Sequence, residues 1–117
     1  MKKNFDVELL EEAQAFLENL GEKERNKIFY NIRKAQYIND NELFKKLNDN
    51  ILEFRPLYNS KAYRLFAFGD KSKKNDTAVI STHGILKKTQ KTPTKEIEKA
   101  ENIRIEYLKN KDDEKGK

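Results

Sequence analysis

The sequence has no cysteine, which excludes disulfide bonds and makes a zinc site or a thiol nucleophile untenable. It also has no run of about 18 apolar residues, so we expect no transmembrane helix. The N-terminus, MKKNFDVELLEE, carries two lysines without an apolar stretch behind them, which argues against a signal peptide. These absences predict a cytoplasmic protein, and 117 residues are the length of one domain.

Hydrophobic residues make up only 36% of the chain and charged residues 38%, values at which disorder must be considered. The apolar residues are nevertheless well patterned and include 7 Phe and 5 Tyr, which favours a folded core. We therefore expect a folded domain over residues 1–108. Residues 109–117, KNKDDEKGK, contain no apolar residue and are predicted to be a mobile charged tail.

The excess positive charge lies in the middle of the chain. Residues 50–95 hold 10 basic and 3 acidic residues, a net charge of +7, whereas residues 1–49 and 96–117 are each at −1. A basic segment of this kind suits a polyanion such as RNA or DNA, although a solvated lysine-rich surface is the commoner meaning of a charge run. Charge therefore makes nucleic acid a candidate partner without deciding the matter.

Apolar residues recur at helical spacing over residues 6–20 and again over residues 22–36. Gly21 lies between the two segments, and glycine readily adopts the backbone conformation that ends a helix. The pattern predicts two amphipathic helices joined at Gly21 as a helical hairpin.

Alternating apolar and polar residues after Asn50 predict three strands, at residues 51–55, 61–68 and 77–83. Turn-forming Asn59 and Ser60 separate the first two, and a polar loop at 69–76 separates the second and third. Short connections predict an antiparallel meander.

Thr92 followed by Pro93 predicts the start of a last helix, with Thr92 as its N-cap and an apolar stripe that ends at Leu108. Two helices, three strands and one helix together predict an α+β domain, with the helices packed on a small antiparallel sheet.

The strand region carries a set of basic residues and one histidine: Arg55, Arg64, His83, Lys87, Lys88 and Lys91. RNA cleavage by the RNA's own 2′-hydroxyl needs a base, an acid and fixed positive charge near phosphorus, and it needs no metal or other cofactor. Arginine suits the phosphate because its planar fork can bond two oxygens. Tyr58 and Tyr63 are candidates for stacking on an unpaired base.

Each candidate also has a structural explanation. A histidine at the end of a strand, as predicted for His83, is more often structural than catalytic. Arg64 shares its predicted face with Phe66 and could extend its charge to water from there. Tyr58 and Tyr63 are more often packing residues than stacking platforms. Composition and periodicity stop at a small basic α+β domain that is compatible with nucleic-acid binding.

Three motifs resemble the phage-derived HigB branch of the RelE/ParE toxin superfamily. They are Glu53-Phe54-Arg55 at a strand end, Tyr63-Arg64-Leu65-Phe66 within the next strand, and HGILKKTQKTP from His83 to Pro93 before an amphipathic helix. The third is the most specific, since it matches without a gap. The resemblance covers nearly the whole chain, with its specificity in residues 51–104.

The resemblance implies a RelE-like fold, with a helical hairpin and a C-terminal helix on a curved antiparallel sheet. It also implies a type II toxin, a metal-independent endoribonuclease that cuts mRNA in the ribosomal A site, and a helix-turn-helix HigA-like antitoxin as partner. By motif position, Arg64 and Arg55 would hold the phosphate, and His83 or Lys88 would shuttle the proton. Lys87 and Lys91 would hold the RNA.

Two other functions compete with the nuclease. A ParE-like protein of the same fold would inhibit DNA gyrase without nuclease chemistry, and a non-enzymatic protein would only bind nucleic acid. The histidine and the lysine-rich motif favour the nuclease, because an inhibitor needs no proton shuttle.

Overall fold

The computed structural model describes residues 2–70, 77–88 and 91–115, with side chains described as far as residue 112. In chain order the elements are β1 (Asp6–Leu9), α1 (Glu11–Glu18), α2 (Glu22–Tyr37), β2 (Phe44–Lys46), β3 (Ile51–Phe54), β4 (Leu57–Tyr58), β5 (Lys61–Asp70), β6 (Ala78–Lys87) and α3 (Thr94–Lys115). The predicted α+β class is confirmed. Most of the predicted polar loop, residues 71–76, lies outside the described residues.

The sheet has the strand order β1-β6-β5-β3-β2, and the short β4 pairs with β5. Its centre is the predicted antiparallel meander of β3, β5 and β6. The sheet as a whole is mixed rather than antiparallel, because β1 runs parallel to β6. The sequence pattern did not predict β1, β2 or β4, each of which has four residues or fewer.

The first predicted helix is wrong at its N-terminal end. Residues 6–9 form β1, and α1 starts only at Glu11. Val7 and Leu9 alternate with exposed neighbours and pack against the core, the period-2 pattern of a strand at a sheet edge. Leu9 and Ala13 are four residues apart, so their spacing also fitted a helix. Residues 6–9 form a strand rather than a helix because they pair with β6.

The turn between β4 and β5 is where it was predicted. Asn59 and Ser60 both adopt left-handed backbone conformations, with φ of 49° and 62°. Two consecutive residues of positive φ form the two-residue hairpin turn whose twist matches that of the strands it joins. The turn sets the register of β5, in which Leu57 lies opposite Ala62.

Both faces of the sheet are covered. One core contains Leu65, Tyr63 and Phe54 of the sheet, packed with residues of α1 and α2 such as Leu17 and Ile28. The other core contains the neighbouring strand positions, among them Phe66 and Phe68, packed with α3. Strand alternation therefore sends Arg64 to the α3 side, together with Phe66, as predicted.

Leu65 is fully buried, as predicted, so Leu65→Ala should lower the free energy of unfolding by about 2–5 kcal/mol. The loss combines the transfer of the leucine side chain with a cavity at the centre of the sheet. Chemical unfolding measures it, and Leu57→Ala is the matched control because Leu57 is 60% exposed. Equal stability for the two variants would contradict the assignment of the core.

The last helix differs from its prediction at both ends. α3 begins at Thr94, and the Thr92 hydroxyl donates a hydrogen bond to Glu53 instead of capping the helix. The helix continues beyond Leu108 to Lys115. Lys111 donates to the buried Asp70 carboxylate at 2.9 Å, which ties this part of the helix to β5. Residues 116 and 117 lie outside the described residues, and mobility of the segment from residue 109 stays a prediction.

Candidate functional site

The site is assembled on the α3 side of the sheet by strand alternation. In β3, Leu52 and Phe54 lie opposite Ala67 and Leu65, on the face that packs with α1 and α2. Glu53 therefore points to the α3 side, where it meets Arg64. Arg55 follows β3 and reaches the same carboxylate, so it faces away from the core of Phe54, as predicted.

A buried carboxylate holds the two arginines together. Glu53 is only 2% exposed, and its Oε1 lies 3.6 Å from the Nε atoms of both Arg55 and Arg64. Its other oxygen accepts a hydrogen bond of 3.2 Å from the Thr92 hydroxyl. A carboxylate can be held in such a place only when cations compensate its lost hydration. Glu53 therefore orders both guanidinium groups before any ligand arrives.

The two guanidinium groups are fixed by the backbone as well. Arg64, 7% exposed, donates from Nη1 to the Tyr63 carbonyl at 2.8 Å, and Arg55 donates to the Asn41 carbonyl at 3.2 Å. The Nε atoms of both have no hydrogen-bond partner among the described residues. Burial lowers the pKa of Arg64 while Glu53 opposes that effect, and an arginine remains charged at neutral pH.

A cleft of about 450 Å³ opens above this cluster and is called the cationic cleft below. Its lining residues are Lys45, Leu47, Glu53, Arg55, Lys87, Lys91, Thr92 and Ile97. Four of these side chains are cationic and one is anionic, so the cleft attracts an anion of phosphate size. Burial lowers the pKa of Lys87, and the neighbouring charge of Arg64 lowers it further, while Glu53 opposes the shift.

His83 was predicted at a strand end, and this prediction is wrong because β6 continues four residues further, to Lys87. Gly84 does not interrupt the strand. A side chain at that position would collide with the ring of Phe16, so glycine allows α1 to pack closely on β6. The close packing explains why Gly84 lies within the strand, although the sequence pattern suggested that the strand ends before it.

The His83 ring is buried beneath α3. It is 3% exposed and stacks on Phe66 with the ring centroids 4.8 Å apart. Nδ1 lies 2.9 Å from the Thr82 hydroxyl, and Nε2 lies 3.5 Å from the Glu96 carboxylate of α3 without the alignment of a hydrogen bond. The ring therefore connects β6 to α3 and presents no nitrogen to the cationic cleft.

His83 should make stability depend on pH. Burial lowers its pKa, Lys99 lowers it further, and Glu96 and Glu12 oppose the shift. The unfolded chain takes up a proton near pH 6.5 while the folded chain takes it up only at lower pH, so the free energy of unfolding should fall as pH falls below about 6.5.

Unfolding in denaturant at several pH values between about 7 and about 5.5 measures this slope. The chain has one histidine, so His83→Gln should flatten the curve over that range. An unchanged slope in the variant would mean that other groups cause it.

The other predicted residues divide between core and surface. Tyr63 lies in the core with α1 and α2 and donates from its hydroxyl to Glu24, so its ring has no face for a base. Tyr58 is half-buried against the same core. Lys88 is exposed and does not line the cationic cleft, whereas Lys87 and Lys91 both do.

Three residues of the site had no functional role in the sequence-based prediction: Glu53, Thr92 and Lys45. Glu53 could have been predicted from the sequence, because it alternates with Leu52 and Phe54 and so shares the face of Arg55. Thr92 was interpreted as a helix cap. Lys45 lies in β2, a strand of three residues whose pairing with β3 no periodicity reveals.

The sheet carries the buried Arg64 and the half-buried Arg55 at a cationic cleft, an arrangement whose charge is complementary to an anion. The model of the phage-derived Gp49-like protein family (DUF891) matches residues 15–104, and the chain therefore belongs to that family. The family is RelE-like and is associated with the toxins of toxin–antitoxin systems, which implies an antitoxin partner. No curated protein matches the chain. Within the part that the structure describes, no helix has the length and apolarity to span a membrane.

Proposed function

We propose that this protein is a HigB-like toxin that cleaves mRNA in the ribosomal A site. The observation that supports it best is the Arg55–Glu53–Arg64 cluster at the cationic cleft that Glu53, Arg55 and Lys87 line. The cleft provides fixed positive charge for a phosphodiester. It also contains Lys87, whose pKa is lowered. A protein that only binds nucleic acid has no need of a lysine whose pKa is lowered.

The proposed reaction is an attack of the RNA 2′-oxygen on the adjacent phosphorus. Lys87, in its neutral form, takes the 2′-hydroxyl proton, and the new P–O bond closes a 2′,3′-cyclic phosphate. The bond from phosphorus to the 5′ oxygen breaks, and that oxygen receives a proton from the Lys91 ammonium group. Arg64 and Arg55 stabilise the additional negative charge on the phosphate oxygens, and no metal takes part.

The burial of His83 changes the roles expected from the family. His83 fits a positioning residue, because it packs between Phe66 and Glu96 and thereby holds the start of α3 near Thr92. Lys88 fits a contact to the RNA or the ribosome rather than the proton shuttle, because its side chain is exposed. The removal of the 2′-hydroxyl proton is therefore assigned to Lys87, and the protonation of the 5′ oxygen to Lys91, the other motif lysine that lines the cationic cleft.

Inhibition by an antitoxin belongs to the same proposal. A helix-turn-helix protein of the HigA type is expected to bind the toxin and stop cleavage, by covering the cationic cleft or by displacing α3 from it. Growth arrest on expression of this chain, relieved by co-expression of the antitoxin, would support this part of the proposal.

The decisive test is a translation reaction with purified protein, followed by mapping of the mRNA ends. The upstream fragment should end in a 2′,3′-cyclic or 3′ phosphate, and a 2′-deoxy sugar at the cut position should prevent cleavage. Free mRNA should be cut poorly, because the ribosome supplies the strand geometry for in-line attack. Intact mRNA together with blocked gyrase supercoiling would replace the nuclease with a ParE-like inhibitor, and RNA binding without either effect would leave a non-enzymatic protein.

A further inference from the structure

A second cleft, of about 560 Å³, lies on the α2 side of the same two arginines and is called the helix-side cleft. Its lining residues are Lys27, Asn31, Lys34, Asp40, Glu42, Leu43, Arg55, Leu57, Ala62 and Arg64. Arg55 lines both clefts, and Arg64 lies beside Glu53 of the cationic cleft. A chain whose phosphate rests on these arginines therefore continues directly from one cleft into the other.

The helix-side cleft is lined by a largely buried residue, Asn31, whose side-chain amide remains open to the cleft. Asn31 of α2 is only 7% exposed and lines the cleft, and its side-chain amide forms no hydrogen bond within residues 2–70, 77–88 and 91–112. The atoms of this amide are not among the buried side-chain atoms without a partner, so they reach the cleft, where water or a bound ligand completes their hydrogen bonds. Leu57, 60% exposed, adds an apolar surface to the same cleft.

The charges of the cleft favour a nucleotide over an acidic peptide. Four cationic side chains, those of Lys27, Lys34, Arg55 and Arg64, face two carboxylates, those of Asp40 and Glu42. Cations suit the phosphates of a nucleic-acid chain, while carboxylates accept hydrogen bonds from base amino groups. The side chains of an acidic protein segment only accept hydrogen bonds and so offer no donor to these two carboxylates, whereas a base offers its amino group.

We infer that the helix-side cleft holds the RNA nucleotide next to the cleaved phosphate, and that the Asn31 amide reads its base. This inference rests on the proposed function. An amide both donates and accepts, so it can pair with the edge of an unstacked base and distinguish one base from another. Leu57 packs against the face of the same base. Asn31 is thus a specificity-determining residue, separate from the groups that move protons or stabilise charge.

The test compares cleavage maps of Asn31→Ala and wild type on a pool of mRNAs that contains every codon. The preference of the wild type between the best and worst base beside the cut should fall by about 10-fold in the variant. Asn26→Ala is the matched control, since Asn26 is an exposed asparagine of the same helix that does not line the cleft.

Leu57→Ala provides a second test if Asn31→Ala fails to fold, because Leu57 is exposed and its replacement should lower the stability of the fold little. Its cleavage rate should fall several-fold at low toxin concentration and recover at saturation.

This inference alone would be overturned if the wild type cuts mRNA and Asn31→Ala keeps the same base preference. It would also be overturned if Leu57→Ala keeps the wild-type rate at low toxin concentration. Normal cleavage together with lost neutralisation by the antitoxin would place a protein in the cleft instead. Failure of the wild type to cut mRNA would overturn the proposed function and this inference together.

Discussion

Lys87→Ala is expected to slow mRNA cleavage by about 10²–10⁴-fold, the range found for the loss of a group that transfers a proton. Lys87 lies in the cationic cleft with Arg55, and burial together with the charge of Arg64 holds its pKa below the ordinary range of lysine. More of the neutral amine is therefore present near neutral pH than in an unperturbed lysine. Single-turnover cleavage on programmed ribosomes, at saturating toxin, measures the effect.

Lys87→Arg separates proton transfer from charge. Arginine keeps the positive charge but cannot give up its proton, so this variant should be nearly as slow as Lys87→Ala. The wild-type rate should rise with pH as Lys87 loses its proton and level off below the ordinary pKa of lysine, and both variants should lose that rise. An active Lys87→Arg enzyme would mean that Lys87 contributes charge only.

Arg64→Ala should lower the cleavage rate by about 10²–10³-fold, because one preorganised donor to the transition-state phosphate is removed. The donor is preorganised by two contacts, to the Glu53 carboxylate and to the Tyr63 carbonyl. The Arg64 guanidinium group is therefore already in place before each phosphate binds. The same single-turnover assay measures the loss, with the chemical step isolated from binding.

Stability must be followed in parallel, since Arg64→Ala leaves Glu53 buried with Arg55 as its remaining arginine partner. Arg64→Lys is the informative companion, because lysine retains the charge but not the planar fork and should recover only part of the rate. Arg33→Ala, at an exposed position of α2, is the surface control. Full activity of folded Arg64→Ala would remove this residue from the phosphate site.

Alternation along a strand made much of the site predictable. Once residues 51–55 and 61–68 were interpreted as paired strands, the directions of Arg55 and Arg64 followed from the apolar residues beside them. Both arginines lie on the predicted side of the sheet. The three lysines of the HGILKKTQKTP segment were recognised by that motif, and two of them, Lys87 and Lys91, line the cationic cleft.

What could not be predicted depends on pairing between distant segments. The strand character of residues 6–9 is decided by β6, and local spacing alone fitted a helix equally well. The burial of His83 depends on α3 lying over β6, and Gly84 continues the strand because it makes room for the ring of Phe16 on the other face. A glycine looks the same in sequence whether it ends a strand or makes room for a neighbour, so the histidine beside it was placed at a strand end.

The parallel pairing of β1 with β6 has a consequence for synthesis of the chain. Asp6 lies opposite Ala78, a contact across about 70 residues, so β1 has no partner strand until residues 78–81 have been made. The cationic cleft also waits, because Lys87, Lys91 and Thr92 belong to the same late segment. A nascent chain therefore lacks the cationic cleft until residue 92 has left the exit tunnel, and under the proposed function it cannot cut RNA before that point.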